Sequence, residues 1–251
     1  MKSLRMAALV SHPIQYFAPL FREIARRPGM DLTVYYCSRM GLGERYDPDF
    51  GQAIQWDVPL LGGYRSRFLP NVSMGMKWGS FWSLINPSIV SELIRERYDA
   101  LLVHGYYSMT NWMAMLTARA VGIPILLRGE SNLLGAKRAN WRPGKWHLLL
   151  GLMRMVSAGL YIGTHNREFY QHFGLDASRL FFAPYSVDND YFQSWSRRMA
   201  PRRAVLRRAF GVMDERPMIL FVGKLIPKKQ PLLLLEAYRR LRERVPCAMY
   251  L

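Results

Sequence analysis

Cysteine and long apolar runs are both scarce in this chain of 251 residues. Only two cysteines occur, Cys37 and Cys247. They are far apart and lack metal-ligand spacing, so we expect reduced core residues in a reducing compartment. The longest apolar stretch, residues 146–163, is interrupted by Arg154 and by three glycines, which argues against a membrane span. The first ten residues do not form a signal peptide. We therefore expect a soluble, cytoplasmic chain that can attach to the inner face of the cytoplasmic membrane.

Acidic residues are also scarce. The chain has 18 Asp and Glu against 35 Lys and Arg, a net charge of +17. Residues 197–244 alone hold 14 basic and 4 acidic residues. A field of this sign favours phosphate-rich partners, which are nucleotides, anionic lipid headgroups or nucleic acid. No nucleic-acid motif or aromatic platform accompanies the arginines, so we expect no nucleic-acid partner.

Several catalytic signatures are missing. The chain has no Walker phosphate loop, no paired-cysteine zinc pattern and no Ser/His/Asp elbow. We accordingly expect no metal and no cofactor.

Short apolar runs alternate with helical patterns along most of the chain. The strands are continuously apolar rather than alternating, which indicates burial on both faces. This pattern predicts an α/β fold with a parallel sheet covered by helices. The predicted strands are 6–10, 32–37, 100–103, 125–127, 160–162 and 180–182, and the predicted helices are 17–27, 89–97, 111–121, 146–157 and 167–173.

Two regions depart from this alternation. Residues 41–77 are rich in Gly, Pro, Arg and aromatic residues, and we expect either a substrate-facing excursion from the sheet or a structural insertion. Residues 197–216 carry three Arg-Arg pairs and resemble a junction. We predict an N-terminal domain over 1–196, a basic linker over 197–216, and the start of a second domain over 217–251.

Ligands of open α/β sheets bind at the carboxyl ends of the strands, so polar residues at these ends are candidates for ligand contact. After the first strand, Ser11, His12 and Gln15 could bind sugar hydroxyls, or Ser11 could cap a helix. His104 ends a buried strand before a glycine. It could point into the cleft, although a lone histidine is often structural.

Another strand end carries two opposite charges. Arg128 and Glu130 follow the predicted strand 125–127, where charges are costly to bury unless they meet each other or a ligand. A loop-shaping ion pair and a substrate-binding pair are both open interpretations.

The segment 219–229 combines an apolar strand, Gly223 and three lysines ahead of a helix that opens at Pro231. Backbone N–H groups and the helix dipole would point at this loop, which makes it an anion-binding corner. A solvated charged turn is the alternative. Lys224, Lys228 and Lys229 are its cations.

Six segments together resemble glycosyltransferase family four, the retaining enzymes of GT-B architecture. They are residues 11–20, 99–104, 127–131, 166–170, 184–192 and 221–229, and they occur in order along the whole chain. The resemblance implies two Rossmann-like domains, the first for the acceptor and the second for a nucleotide-sugar. Here the second would be represented only by its first elements.

The resemblance also implies residue roles. Lys224 and Lys229 would hold the donor diphosphate, with lysine where the family more often has arginine, and His104 would lie near the donor sugar. The first loop, with Ser11, His12 and Gln15, lacks the glycine-rich pattern of many members. The paired glutamates that hold donor sugar and ribose do not appear before residue 251, so we expect a truncated chain that binds nucleotide-sugar weakly and turns over poorly.

The function expected from the resemblance is retaining transfer of a sugar to a glycan or lipid-linked acceptor, in cell-surface polysaccharide or glycolipid synthesis. Two alternatives stay open. One is a non-catalytic binding module made of the acceptor domain. The other, prompted by the charge, is a basic nucleic-acid-binding protein.

Overall fold

A computed structural model describes residues 3–47, 51–73, 76–134, 143–213 and 215–250. The chain forms two compact units. The first comprises Met1–Gly43 and Trp56–Val187, and the second comprises Glu44–Gln55 and Asp188–Leu251. Parts of the predicted excursion, 48–50 and 74–75, lie outside the described residues.

The first unit is built on a seven-stranded sheet in which every neighbouring pair is parallel. In chain order its strands are β1 (Leu4–Val10), β2 (Met30–Tyr36), β5 (Arg65–Phe68), β6 (Ala100–His104), β7 (Ile125–Arg128), β8 (Ala158–Tyr161) and β9 (Leu180–Phe182). Strands β3 (Arg45–Asp47) and β4 (Gln52–Ile54) belong to the second unit. Across the sheet the order is β5-β2-β1-β6-β7-β8-β9.

Helices connect the strands of this sheet. They are α1 (Phe17–Arg26), α2 (Ser88–Glu96), α3 (Met109–Ala120), α4 (Pro143–Met155) and α5 (Thr164–His172). One apolar cluster centres on Leu9 and Leu101, and a second on Ala8 and Val34. Since neighbouring residues of β1 enter different clusters, the sheet is buried on both faces, which confirms the predicted α/β architecture.

The chain order reverses between β1 and β6. From β1 the chain proceeds to β2 and β5 on one side, then returns to β6 on the other. At such a switch point the loops after the two central strands separate and leave a crevice. The loop that begins at Ser11 and the end of β6 at His104 therefore border the same crevice.

The excursion predicted over 41–77 contains more regular structure than its weak periodicity indicated. Strands β3 and β4 form an antiparallel hairpin, and β5 pairs with β2 at the edge of the main sheet. Strand β5 has the sequence Arg-Ser-Arg-Phe, in which Arg65 is exposed and Arg67 is half-buried. A short polar edge strand has no apolar run by which sequence reasoning could find it.

The second unit contains α6 (Asn189–Met199), α7 (Arg203–Ala209), and β10 (Met218–Leu220) paired in parallel with β11 (Ala248–Tyr250). Helix α8 (Pro231–Arg242) connects these two strands. Residues 197–216, predicted as a basic linker, include the end of α6 and all of α7. The predicted domain boundaries stay a prediction.

Two further expectations concern the whole chain. Cys37 and Cys247 are buried free thiols, as predicted, and burial raises the pKa of the Cys37 thiol to about 12. No helix among the described residues is long and apolar enough to cross a membrane.

Candidate functional site

His104 occupies the last position of β6 and packs among aromatic rings. Its ring centroid lies 4.2 Å from that of Phe17 and 6.0 Å from that of Phe21. The residue is half-buried, but its Nε2 atom is enclosed and has no hydrogen-bond partner within the described part of the chain. Burial, with a smaller contribution from the charge of Arg128, lowers the pKa of His104 to about 3. The imidazole is therefore neutral at physiological pH, and its Nε2 can serve a hydroxyl group as donor or acceptor.

Arg128 and Glu130, which follow β7, meet at Tyr185. The Arg128 guanidinium is only 5% exposed and lies 4.7 Å from the centroid of the Tyr185 ring. Its Nη2 donates to the carbonyls of Ala183 and Pro184, both at 3.4 Å. The Tyr185 hydroxyl donates to Oε1 of Glu130. Burial lowers the pKa of Arg128, and the Glu130 charge partly opposes this effect. The two charges thus hold the 183–185 segment, and their ligand role stays a prediction.

Two hydrogen bonds fix the chain at the end of β6, one to the backbone of β7 and one from the Asn111 side chain of α3. The Gly105 N–H donates to the Arg128 carbonyl at 2.7 Å, and Asn111 Nδ2 donates to the His104 carbonyl at 3.4 Å. Gly105 has a φ of +77°, and a Cβ there would lie 2.8 Å from the Tyr107 ring. Glycine is favoured at this position because a left-handed backbone conformation strains any larger residue.

The loop after β1 supplies polar groups on the other side of the crevice. Ser11 Oγ and His12 Nδ1 lie 2.9 Å apart, and the His12 ring meets the Trp78 ring edge to face at 5.3 Å between centroids. Gln15 Oε1 is buried without a hydrogen-bond partner among the described residues. A buried acceptor of this kind is uncommon in proteins and is satisfied when a ligand or water supplies a donor.

Two supporting groups were not found from sequence. Asn86 is fully buried and donates to the carbonyls of Cys37 and Leu69, just past β2 and β5, at 3.0 and 2.9 Å. The Thr110 hydroxyl donates to Asn86 Oδ1 at 2.8 Å and so connects these strand ends to α3. Asn86 directly precedes the Pro87 cap of α2, so in sequence it resembles an ordinary turn residue.

The lysine loop lies in the second unit, between β10 and α8. The Ile226 N–H donates to the Lys224 carbonyl, and the Lys229 N–H donates to the Ile226 carbonyl, both at 2.9 Å. Gln230 adopts a left-handed conformation, and no side chain caps the N-terminus of α8. A Cβ on Gly223 would meet only the Phe221 ring at 3.6 Å, an ordinary contact. The anion-binding role of this corner stays a prediction.

Comparisons with known proteins identify sequence relatives over part of the chain. It is 39% identical over 152 residues to a D-inositol 3-phosphate glycosyltransferase of Geodermatophilus obscurus, covering 57% of this chain and 32% of that protein. It is 29% identical over 159 residues to the D-inositol 3-phosphate glycosyltransferase of Kineococcus radiotolerans, covering 60% of this chain and 35% of that protein. The chain thus spans about a third of the length of these relatives. No known family profile matches it.

Solved structures share the fold over nearly the whole chain. Anabaena HepE in complex with UDP and glucose superposes with a TM-score of 0.58 at 12% identity, covering 98% of this chain and 60% of that one. The UDP-GlcNAc 2-epimerase of Neisseria meningitidis, bound to UDP-GlcNAc, superposes with a TM-score of 0.52 at 13% identity, covering 99% and 66%.

These findings define the class of protein. The chain has the GT-B type of fold, and it resembles glycosyltransferases of family four. At such low identity the structural neighbours show the fold alone. Within the described residues no group of three or more His, Cys, Asp and Glu side chains could hold a metal ion.

Proposed function

We propose that this chain contributes to a glycosyltransferase that moves a sugar from a nucleotide-sugar to a glycan or lipid-linked acceptor with retention of configuration. The observation that carries the proposal is the 39% identity to a glycosyltransferase, on a chain with the matching fold. Because the structural neighbours include an epimerase, the fold does not choose between transfer and epimerisation. The sequence relatives favour transfer.

In this proposal the first unit binds the acceptor. The neutral His104 imidazole would orient the sugar or a reacting oxygen from the end of β6. Ser11, His12 and Gln15 would contact acceptor hydroxyls, since they follow the neighbouring strand at the same crevice. Arg128 and Glu130 would shape the far side of the site through Tyr185.

The second unit would hold the donor diphosphate. Lys224 and Lys229 flank a turn that leads into an uncapped helix N-terminus, where the partial positive charge of α8 adds to theirs. Gly223 leaves the backbone open to a close phosphate oxygen. As the glycosidic bond breaks, negative charge develops on the diphosphate, and fixed cations stabilise it without a metal. Lysine makes a less directional contact here than arginine would.

We further propose a UDP-sugar as donor and an anionic membrane as the place of action. Structures of the same fold were solved with UDP, UDP-glucose or UDP-GlcNAc, which supports the nucleotide. The last turns of α6 and α7 carry the exposed side chains of Arg197, Arg198 and Arg208, which supports contact with anionic headgroups on the cytoplasmic face. A glycan or lipid-linked acceptor at such a membrane would give the protein a role in cell-surface polysaccharide or glycolipid synthesis. Slow turnover by residues 1–251 alone remains a prediction.

A donor panel tests the proposal. The 251-residue chain is titrated with UDP-glucose, UDP-GlcNAc, GDP-mannose and UDP, with ATP as a nucleotide control, and binding is followed by saturation-transfer NMR. We expect at least one nucleotide-sugar to bind more tightly than ATP, and any transfer product to keep the anomeric configuration of its donor. Equal binding of ATP and every nucleotide-sugar, or an inverted product, would contradict it.

A further inference from the structure

Three segments that are distant in sequence meet at His12. Trp78, at the far end of the 41–77 excursion, contacts the His12 ring edge to face. Gly41, at the near end of the excursion, lies against the loop that contains His12 and Pro13. The Trp56 indole packs against Gly41 as well. His12, Trp56 and Trp78 together are named here the tryptophan shelf.

Gly41 shows how closely these segments approach one another. Its φ is +93°, and a Cβ built on it would lie 2.7 Å from the Pro13 carbonyl oxygen. The same Cβ would lie 3.6 Å from Trp56 Nε1 and 3.8 Å from His12 Cδ2. The indole and the imidazole therefore pack around one glycine, and only a residue without a side chain allows this approach.

The two indoles of the shelf stay partly open to solvent although they are packed on one side. Trp56 is 38% exposed and Trp78 is 41% exposed. Flat apolar rings that remain exposed beside polar groups are typical of ligand sites, because they supply contact area at a small cost in side-chain entropy. One such polar group is the Ser11 hydroxyl, which lies 2.9 Å from His12 Nδ1. Gln15, in the same loop, has an enclosed Oε1 without a hydrogen-bond partner among the described residues.

We propose that the tryptophan shelf is an acceptor subsite that binds a neutral saccharide by stacking a pyranose ring on Trp56 or Trp78. This inference rests on the proposed glycosyl transfer and names the acceptor class. One face of a pyranose presents C–H groups that suit an indole, and its edge presents hydroxyls that suit Ser11 and Gln15. A phosphorylated acceptor would instead favour a guanidinium fork or a cluster of ammonium groups.

Saturation-transfer NMR with the 251-residue chain tests the subsite. The probes are cellobiose and maltose as neutral disaccharides, and myo-inositol 3-phosphate as an anionic one. We expect saturation of the C–H protons of at least one disaccharide, and a loss of affinity of about 2- to 13-fold in Trp56→Ala or Trp78→Ala, which corresponds to one aromatic contact. Trp78→Phe should retain most of the affinity. Trp195→Ala, which removes an equally exposed indole from the second unit, should change nothing.

The outcomes separate this inference from the function on which it rests. Disaccharide binding that is unchanged in both shelf variants, or tighter binding of inositol phosphate than of any disaccharide, overturns the subsite. UDP-glucose is titrated into the same variants, and its affinity should be unaffected because the lysine loop is intact. If the chain binds no nucleotide-sugar while disaccharide binding depends on the shelf, the proposed transfer fails and the saccharide site stands.

Discussion

Protonation of His104 should destabilise the first unit as the pH falls. The pKa is about 3 in the folded chain, against the usual 6.5, chiefly because the ring is buried. The unfolded chain thus binds more protons between pH 3 and 6.5, so the free energy of unfolding rises with pH across this window and levels off above 6.5. Between pH 7 and pH 5 the contribution of this one group is about 2 kcal/mol, at about 1.4 kcal/mol per pH unit once the unfolded histidine is charged.

His104→Leu isolates this contribution. The variant removes the titrating group without removing a side-chain hydrogen bond, because Nε2 has no partner among the residues that the structure describes. Urea unfolding is measured for both chains at pH 5, 6 and 7, and the native chain should lose about 2 kcal/mol more than the variant between pH 7 and pH 5. The other histidines are present in both chains, so their contributions to the pH dependence of the free energy of unfolding cancel in the difference.

A direct titration supports the same test if the variant folds poorly. The ring resonances of His104 are followed by NMR in the native chain, and they should not titrate above pH 5. A midpoint near 6.5, or parallel pH dependence of the two chains, would refute the reasoning that burial keeps this imidazole neutral.

Two structural predictions concern the residues that hold the crevice together. Asn86→Ala should lower the free energy of unfolding by about 2–4 kcal/mol, because it leaves the buried carbonyls of Cys37 and Leu69 without their donor. Urea unfolding measures the loss, and a value below about 0.5 kcal/mol would contradict the buried network. Gly41→Ala should destabilise the chain by about 1–3 kcal/mol through its φ and its contact with Pro13, and should shift the fluorescence of nearby tryptophans. Gly29→Ala is the matched control, since Gly29 has a similar φ of +80° but nothing within 4 Å of its Cβ; equal losses in both would show that the close approach is unimportant.

The interior of the fold could be predicted from sequence because its strands are continuously apolar. The predicted helix 17–27 corresponds to Phe17–Arg26, and the predicted strand 100–103 corresponds to Ala100–His104. The edge strand Arg65–Phe68 and the hairpin of Arg45–Asp47 with Gln52–Ile54 could not, because short polar strands depend on pairing partners rather than on burial of their own residues.

The candidate site was predictable only as single positions. The points at which apolar runs end in the sequence predict the strand ends at His104 and Arg128. What each side chain does depends on residues far along the chain: Glu130 meets Tyr185 across 55 residues, and Trp78 returns to His12 across the whole excursion. Contacts of this kind depend on how the chain connects the strands of the sheet, and local sequence patterns therefore cannot predict them.

The affinity of the chain for UDP, measured by calorimetry or NMR in three lysine variants, tests the central claim most directly. Lys224→Ala and Lys229→Ala should each weaken UDP binding by about 10-fold or more, the value of one charge-assisted hydrogen bond to the diphosphate. Lys228→Ala removes a neighbouring lysine of the same loop and should have a much smaller effect. Equal UDP affinity in the native chain and in both Lys224→Ala and Lys229→Ala would contradict the account of a donor diphosphate site.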